Sequence, residues 1–352
     1  MIPRPVRYPS VSFGPPGSPR DQTARVRRRA GGWIAALFAL AGCAEDPAGP
    51  GPDAAGDQVR SGAPFLAALA VDPVSSCTVP PVLPTDQVNK RGRTYYSPGG
   101  DAQKLFVEWP KNAGPGLRPL VVLIHGGSWR SGNPRSLLDE GRLLVGAGYV
   151  VASVGYRFAP QHTFPAQIED VRCAIRYLRE NAATYGIDPS RVAAVGQSAG
   201  GHLASLLGTA AGASGLDGSC PFAGSPDVDG VVSFYGPQDL TDLDLFTTLQ
   251  DEVVDFLGGT PDSDPDLAAL ASPIEHVDAG DPPFLLLHKT GDNTVPIVHS
   301  ETMDDALQAA GVPSTFIEVN QTGHTWPMFS TRSKHVEATC TTLAFLEQTL
   351  NP

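Results

Sequence analysis

From about residue 90 onward, short apolar runs alternate with stretches of helical periodicity. Thr94–Ser97 and Leu105–Trp109 read as strands joined by the turn Pro98-Gly99-Gly100-Asp101. Leu120-Val121-Val122-Leu123-Ile124 is continuously apolar and stops at Gly126-Gly127, and Tyr149–Val154 repeats the pattern. Unbroken apolar runs of this length mark strands buried on both faces. Leu137–Ala147, closed by Gly148, predicts a helix between them. Gln167–Tyr185 places Ile168, Val171, Ile175 and Leu178 at spacings of three and four, an amphipathic helix that Gly186 ends. Arg191–Val195, Val228–Phe234, Pro283–Leu287 and Thr315–Val319 supply further strands. Ala199–Leu207, Ile297–Ala310 and Ser333–Leu350 supply further helices. Such alternation predicts an α/β fold whose mostly parallel sheet is covered on both faces. The acidic stretch Asp239–Ala279, between two strands, is the natural place for a cap.

The first part of the chain follows other rules. Arg25, Arg27, Arg28 and Arg29 precede the apolar run Trp33–Leu40, which ends at Ala41-Gly42-Cys43. A charged region, a short apolar stretch and then small residues form the pattern of a secretory signal. The run is shorter than the roughly 20 residues that span a bilayer. Leu40-Ala41-Gly42-Cys43 also resembles the bacterial lipoprotein cleavage box, which implies a signal peptide over 1–42, lipidation of Cys43, and an exported protein anchored at the cell envelope or secreted. Residues 43–88 are rich in Pro, Gly, Ala and Asp and read as a flexible tether, leaving 89–352 as the catalytic domain.

Charge narrows the function. The formal net charge of −12 hides seven arginines and one acid within the first 42 residues; the remainder carries 18 basic and 36 acidic groups, a net −18. That surface repels nucleic acid and anionic lipid, so membrane contact is expected only through a lipid anchor. Beyond Cys43 stand Cys77, Cys173, Cys220 and Cys340. In an exported protein four cysteines allow three disulfide pairings, and Cys173, inside a helical pattern, equally fits a buried thiol. No CxxC or Cys/His spacing points to zinc, and no cofactor is implied.

The candidate chemistry centres on Gly196-Gln197-Ser198-Ala199-Gly200. A GxSxG pentapeptide alone is weak, but this one follows an apolar strand and opens a helix, as a nucleophile elbow requires. The residues two before and two after the serine must be tiny, and both are glycine. His125-Gly126-Gly127-Ser128-Trp129 follows a buried strand as an oxyanion loop does, which nominates backbone N–H groups of Gly127, Ser128 and Ala199 as donors. The acid and the base should follow in that order. Asp292 lies in the loop after Phe284–Leu287, and His324 in the loop after Thr315–Val319. Trp129 and Trp326 flank the site and are candidate substrate-pocket residues, with core packing as the alternative. His125 and His202 read instead as loop-supporting and packed residues, and Glu169-Asp170 as partners of a helix dipole or of nearby loops.

Together these motifs resemble the α/β-hydrolase carboxylesterases, in particular the bacterial acetyl-esterase, feruloyl-esterase and hormone-sensitive-lipase-like group, over about residues 90–350. Tyr156-Arg157-Phe158-Ala159-Pro160, Phe164–Asp170, Phe234-Tyr235-Gly236-Pro237, Ala271-Ser272-Pro273-Ile274 and Asp281-Pro282-Pro283-Phe284 extend the likeness. The resemblance implies the α/β-hydrolase fold: a mostly parallel eight-stranded sheet, helices on both faces and a small cap at about 239–279. It also implies metal-free, two-step acyl-enzyme chemistry on small-molecule or carbohydrate esters. Two positions depart from the family pattern, Ser128 in the oxyanion loop and Lys289 where a His-Gly pair is usual. Arylformamidase-like or peptidase amide hydrolysis is the rival chemistry, and a non-catalytic surface binding module the rival class.

Overall fold

In the computed structural model the chain divides into two units, 1–53 and 54–352. The structure describes residues 59–61, 77–112, 114–331 and 333–351, all in the second unit. The predicted signal over 1–42 and Cys43 lie outside the described residues.

In chain order the elements are β1 (Val59–Ser61), β2 (Val88–Tyr96), β3 (Gln103–Pro110), β4 (Arg118–Ile124), α1 (Leu138–Gly146), β5 (Val150–Val154), α2 (Ala166–Glu180), α3 (Ala182–Tyr185), β6 (Ile187–Gln197), α4 (Ala199–Thr209) and β7 (Gly230–Phe234). They continue with α5 (Gln250–Leu257), α6 (Pro265–Ala271), β8 (Phe284–Gly291), α7 (Val298–Ala310), β9 (Ser314–Thr322) and α8 (Ser333–Leu350). One sheet holds all the described strands in the order β1-β9-β8-β7-β6-β4-β5-β3-β2. From β5 through β4, β6, β7 and β8 to β9 every pairing is parallel, while β3, β2 and β1 join antiparallel.

The apolar runs explain the layering. Side chains alternate across a strand. Leu120, Val122 and Ile124 of β4 therefore enter one core with α2, α4, α7 and the cap helices, while Val121 and Leu123 enter a second core with α1 and α8. Both faces demand apolar residues, so the strand reads as unbroken hydrophobic sequence.

Eight strands lie between residues 88 and 322, as the family resemblance implies, and a ninth comes from the segment read as tether. Val59–Ser61 pairs with Thr315–Ile317 of β9 and caps the sheet edge. Cys77 is bonded to Cys340 of α8. A flexible tether over the whole of 43–88 is therefore corrected at these points: the edge of β9 offered unpaired backbone groups, which a passing extended segment satisfies. The second disulfide joins Cys173 of α2 to Cys220, so Cys173 is not a free thiol. Closing its loop of sequence separation 47 contributes about 4 kcal/mol in the chain-entropy picture.

The chain visits β4, then β5 on one side, then crosses to β6 on the other. Loops leaving the carboxyl ends of β4 and β6 therefore diverge around a crevice, the usual place for a ligand in such sheets.

Candidate active site

Ser198 sits between β6 and α4 at φ 54°, ψ −124°, a conformation that an L residue adopts only under constraint from its surroundings. The constraint is visible around it. A methyl group on Gly196 would lie 2.0 Å from the Gly200 carbonyl oxygen, and one on Gly200 would lie 2.1 Å from the Ile124 carbonyl oxygen. Ser198 N–H donates to the Phe234 carbonyl of neighbouring β7 at 2.9 Å. The corner therefore closes only with glycine on both sides, which is why the sequence shows that spacing.

The loop after β4 lies against this corner: a methyl group on Gly126 would meet the Gln197 oxygen at 2.9 Å and Ser198 Cβ at 3.1 Å. Gly127 (φ 121°), Ser128 (φ 51°) and Trp129 (φ 57°) all take positive φ. The Gly127 carbonyl accepts from Arg130 N–H at 3.0 Å and Ser131 N–H at 3.1 Å, inside the loop. Across a trans peptide the carbonyl and the following N–H point in opposite directions, so Ser128 N–H is directed away from the loop interior. Ala199 is the first residue of α4, where an N–H has no intrahelical acceptor.

The predicted acid and base meet the serine. His324 Nε2 lies 2.8 Å from Ser198 Oγ, and His324 Nδ1 lies 2.7 Å from Asp292 Oδ2. A carboxylate only accepts, so Nδ1 carries the proton and Nε2 is left to accept from the serine hydroxyl. Asp292 is fixed in turn: its Oδ1 accepts from Thr294 N–H at 2.8 Å and Val295 N–H at 3.1 Å, and His288 Nε2 stands 3.4 Å from its Oδ2. Burial works to raise this carboxyl, but hydrogen bonds from His288 and His324, the charge of His324 and the Thr294 N–H outweigh it. They hold Asp292 well below the ordinary carboxylate range.

The two tryptophans are corrected. Both indoles are buried, Trp129 completely (0 % exposed), and offer no face to a pocket. Trp129 stacks on Phe256 of α5 with ring centroids 4.5 Å apart, and its indole N–H donates to His202 Nδ1 at 3.1 Å. His202 Nε2 then donates to the Ala271 carbonyl at 2.7 Å. Burial pushes His202 down to about 4, so the imidazole is the neutral tautomer that this donor–acceptor chain needs. Trp129 is thus a strut between the strained loop, the elbow helix and the cap, and Arg130 reinforces it through ion pairs to Glu252 (3.3 Å) and Asp255 (3.1 Å). Trp326 packs edge-on against Phe234 and Tyr235 in the second core. An aromatic beside a reactive loop suits a pocket or a core equally; the cap decides between them for Trp129, and the second core for Trp326.

Three supporting residues carry no mark in the sequence beyond their place in a motif. Tyr235, at φ 42°, sets its ring edge-on to His324 with centroids 4.8 Å apart, and its hydroxyl bridges Gln197 Oε1 and the Trp326 carbonyl. His288, at the end of an apolar run, holds Asp292, Val295 and Ser300. Lys289, noted above only as a departure, reaches the His324 loop. His125 and Asp170 take bland roles. His125 Nδ1 donates to the Gly126 carbonyl at 2.8 Å and its ring stacks on Tyr156. Asp170 and Glu169 pair with Arg157 at 2.9 and 2.8 Å, a loop contact rather than a helix-dipole one.

Esterase LipC of Mycobacterium tuberculosis is 32% identical over 243 residues, covering 66% of this chain and 59% of that protein. Esterase LipQ of the same organism is 32% identical over 253 residues, 68% of this chain and 58% of that protein. The chain thus spans less than two thirds of the length of these curated relatives. Among solved structures, a truncated carbohydrate esterase from gut microbiota superposes with a TM-score of 0.65 at 29% identity, covering 76% of this chain and 99% of that one. An esterase of Thermogutta terrifontis with propionate bound gives a TM-score of 0.63 at 25% identity, covering 74% of this chain and 96% of that one. The BD-FAE family model matches residues 107–307. With more than half of its length so matched, and with the sheet order and the elbow described above, the chain belongs to the BD-FAE family and has the α/β-hydrolase fold.

Proposed function

We propose that this chain is a serine esterase that cleaves short-acyl, carbohydrate-linked or aryl-linked carboxylic esters through an acyl-enzyme. The observation that carries the reading is the unbroken relay from Ser198 Oγ through His324 to Asp292, at 2.8 and 2.7 Å. His324 Nε2 takes the hydroxyl proton as Oγ bonds to the ester carbonyl carbon. The oxyanion is met by N–H groups of Gly127, Ser128 and Ala199. Collapse breaks the bond to the alkoxy group, which receives the proton from His324, and the alcohol departs. Water then repeats the sequence: it gives its proton to His324, its oxygen bonds the acyl carbon, and Ser198 leaves reprotonated as the acid is released. Asp292 stays ionised and stabilises the imidazolium at each stage.

The esterase names and bound propionate of the relatives favour ester over amide chemistry. Turnover of p-nitrophenyl acetate and of acetylated and feruloylated sugars, compared with N-formylkynurenine and peptide anilides, tests the reading. Cleavage of the amides alone would overturn it. A surface binding module has no use for an assembled proton relay. For location the proposal is export with a lipid on Cys43, resting on the residues before it. Cys43→Ala should release the protein from membranes, and unchanged fractionation would refute the anchor.

A further inference from the structure

The residues 288 and 289 stand side by side on β8 and point to opposite faces of the sheet. His288 reaches the acid, lying 3.4 Å from Asp292 Oδ2. Lys289 reaches the segment that carries the base. Its ammonium donates to the Thr325 carbonyl at 3.1 Å and to the Thr322 carbonyl at 3.4 Å, the two backbone acceptors that bracket Gly323-His324. It also lies 5.5 Å from the centroid of the Trp326 ring, the next residue along. The side chain is 6 % exposed, so a strongly hydrated point charge has been taken out of water to sit against this loop. Removing an ammonium from water is costly unless strong acceptors replace the solvent, and bonds from a charged donor are about twice as strong as neutral ones. Around it the loop is otherwise tied by Gly323 N–H to the Gly291 carbonyl at 3.0 Å and by the Tyr235 hydroxyl to the Trp326 carbonyl at 3.2 Å. Gly323 itself takes φ 84°, a hinge that neighbouring bonds must hold in place.

We propose that Lys289 is a positioning residue for His324, clamping the carbonyls on either side of the base so that its Nε2 stays within bonding distance of Ser198 Oγ. The proposal rests on the esterase reading for its kinetic consequence, while its geometric consequence can be read without turnover. Lys289 touches neither substrate nor reacting atoms; it acts through the loop. A displacement of the base by about 1 Å is enough to cost around a hundredfold in rate.

The test compares the wild-type chain with Lys289→Met, which keeps the stem and removes the ammonium, and Lys289→Arg, which restores donors and charge. Steady-state turnover of p-nitrophenyl acetate is measured together with the low-field proton resonance of the hydrogen bond shared by His324 and Asp292. The expected result for Lys289→Met is a fall in kcat of about 10- to 100-fold with KM within about twofold, and a shifted or broadened resonance. Lys289→Arg should recover kcat to within about fivefold of wild type and return the resonance. A Lys289→Met enzyme with wild-type kcat and an unmoved resonance overturns the proposal. So does a loss that Lys289→Arg does not reverse. Should Lys289→Met not fold, Lys289→Gln, with two uncharged donors, is read by the same criteria. A wild-type chain without ester turnover sinks the esterase reading alone, and the resonance then decides the positioning role by itself.

Discussion

The elbow and the oxyanion loop are held by backbone groups packed so closely that a single methyl group has nowhere to go, whereas the loop carrying His324 relies mainly on side chains reaching across from other elements. On the first side, added methyls at Gly127, Gly196 and Gly200 would come within 2.0–2.2 Å of carbonyl oxygens. On the second, one backbone bond, from Gly323 N–H to the Gly291 carbonyl at 3.0 Å, is joined by side-chain contacts of Asp292, Lys289 and Tyr235. In the proposed mechanism stiffness falls where charge would develop on the substrate, since preorganised donors that need not move stabilise an oxyanion best. In the same mechanism the base accepts and returns a proton twice per cycle, and side chains from three other positions contribute to holding it.

The largest effect should come from the atom both sides converge on. Ser198→Ala removes the nucleophile and should lower kcat by at least about a thousandfold. Ser198 is buried at the corner, but the change removes one oxygen, leaves the strained backbone as it is and creates no clash, so melting temperature should stay within a few degrees. A folded variant that still turns over p-nitrophenyl acetate at the wild-type rate rules out the assignment.

Next comes the rigid side. Gly127→Ala places its methyl 2.2 Å from the Ser131 oxygen at φ 121°, so the loop must rebuild. The loss of one oxyanion donor corresponds to about 100- to 1000-fold in kcat. Stopped-flow acylation should slow in step with kcat, because the tetrahedral intermediate forms before the alcohol leaves. An unchanged acylation rate would show that this loop does not bind the oxyanion.

What the sequence made legible follows the same division. Gly196, Gly200 and Gly126-Gly127 are required by backbone contacts formed over short stretches at the end of a strand, so they leave a readable mark. Asp292 and His324 could be picked out because each follows an apolar run that only a buried strand explains. The struts could not. Lys289 lies 33 and 36 residues from the carbonyls it holds, and its role exists only once β8 and β9 are neighbours. Trp129 was expected at a pocket and is instead stacked on Phe256, because the fold of the cap decides which side of the oxyanion loop is wet. The strand Val59–Ser61 is too short to carry a period and is selected by the open edge of β9.

A third contrast is in acid. The rigid side contains His125 and His202, both lowered by burial from 6.5 to about 4. Each is neutral in the fold and takes a proton more readily when unfolded. Their contribution is complete above about pH 6.5, declines as pH falls, and is exhausted below about pH 4, up to about 3 kcal/mol for each. Asp292, held low, keeps its contribution through the whole of that window. Burial raises Asp170 and Asp281 to about 6, and these act in the opposite sense over the same window, so the test is the difference between wild type and a single variant in chemical denaturation at a series of pH values. His202→Gln, which can still accept from Trp129 and donate to the Ala271 carbonyl, should make the slope shallower by about one proton. An identical slope in the variant would mean that His202 is not titrating on unfolding.

The smallest effect sharpens the contrast most, because it asks how finely the adjustable side is tuned. Tyr235→Phe keeps the ring edge that lies 4.8 Å from the His324 centroid and removes only the hydroxyl that bridges Gln197 Oε1 at 2.9 Å and the Trp326 carbonyl at 3.2 Å. A neutral hydrogen bond contributes about 1 kcal/mol net, which corresponds to about fivefold in kcat if the whole of it orients the base. The loss should be smaller than that of Lys289→Met, whose donor is charged, and should fall on kcat rather than KM. If Tyr235→Phe were instead the more damaging of the two, the loop would be positioned from the elbow side through Gln197. The backbone-built and side-chain-built halves of the site would then be one mechanical unit rather than two.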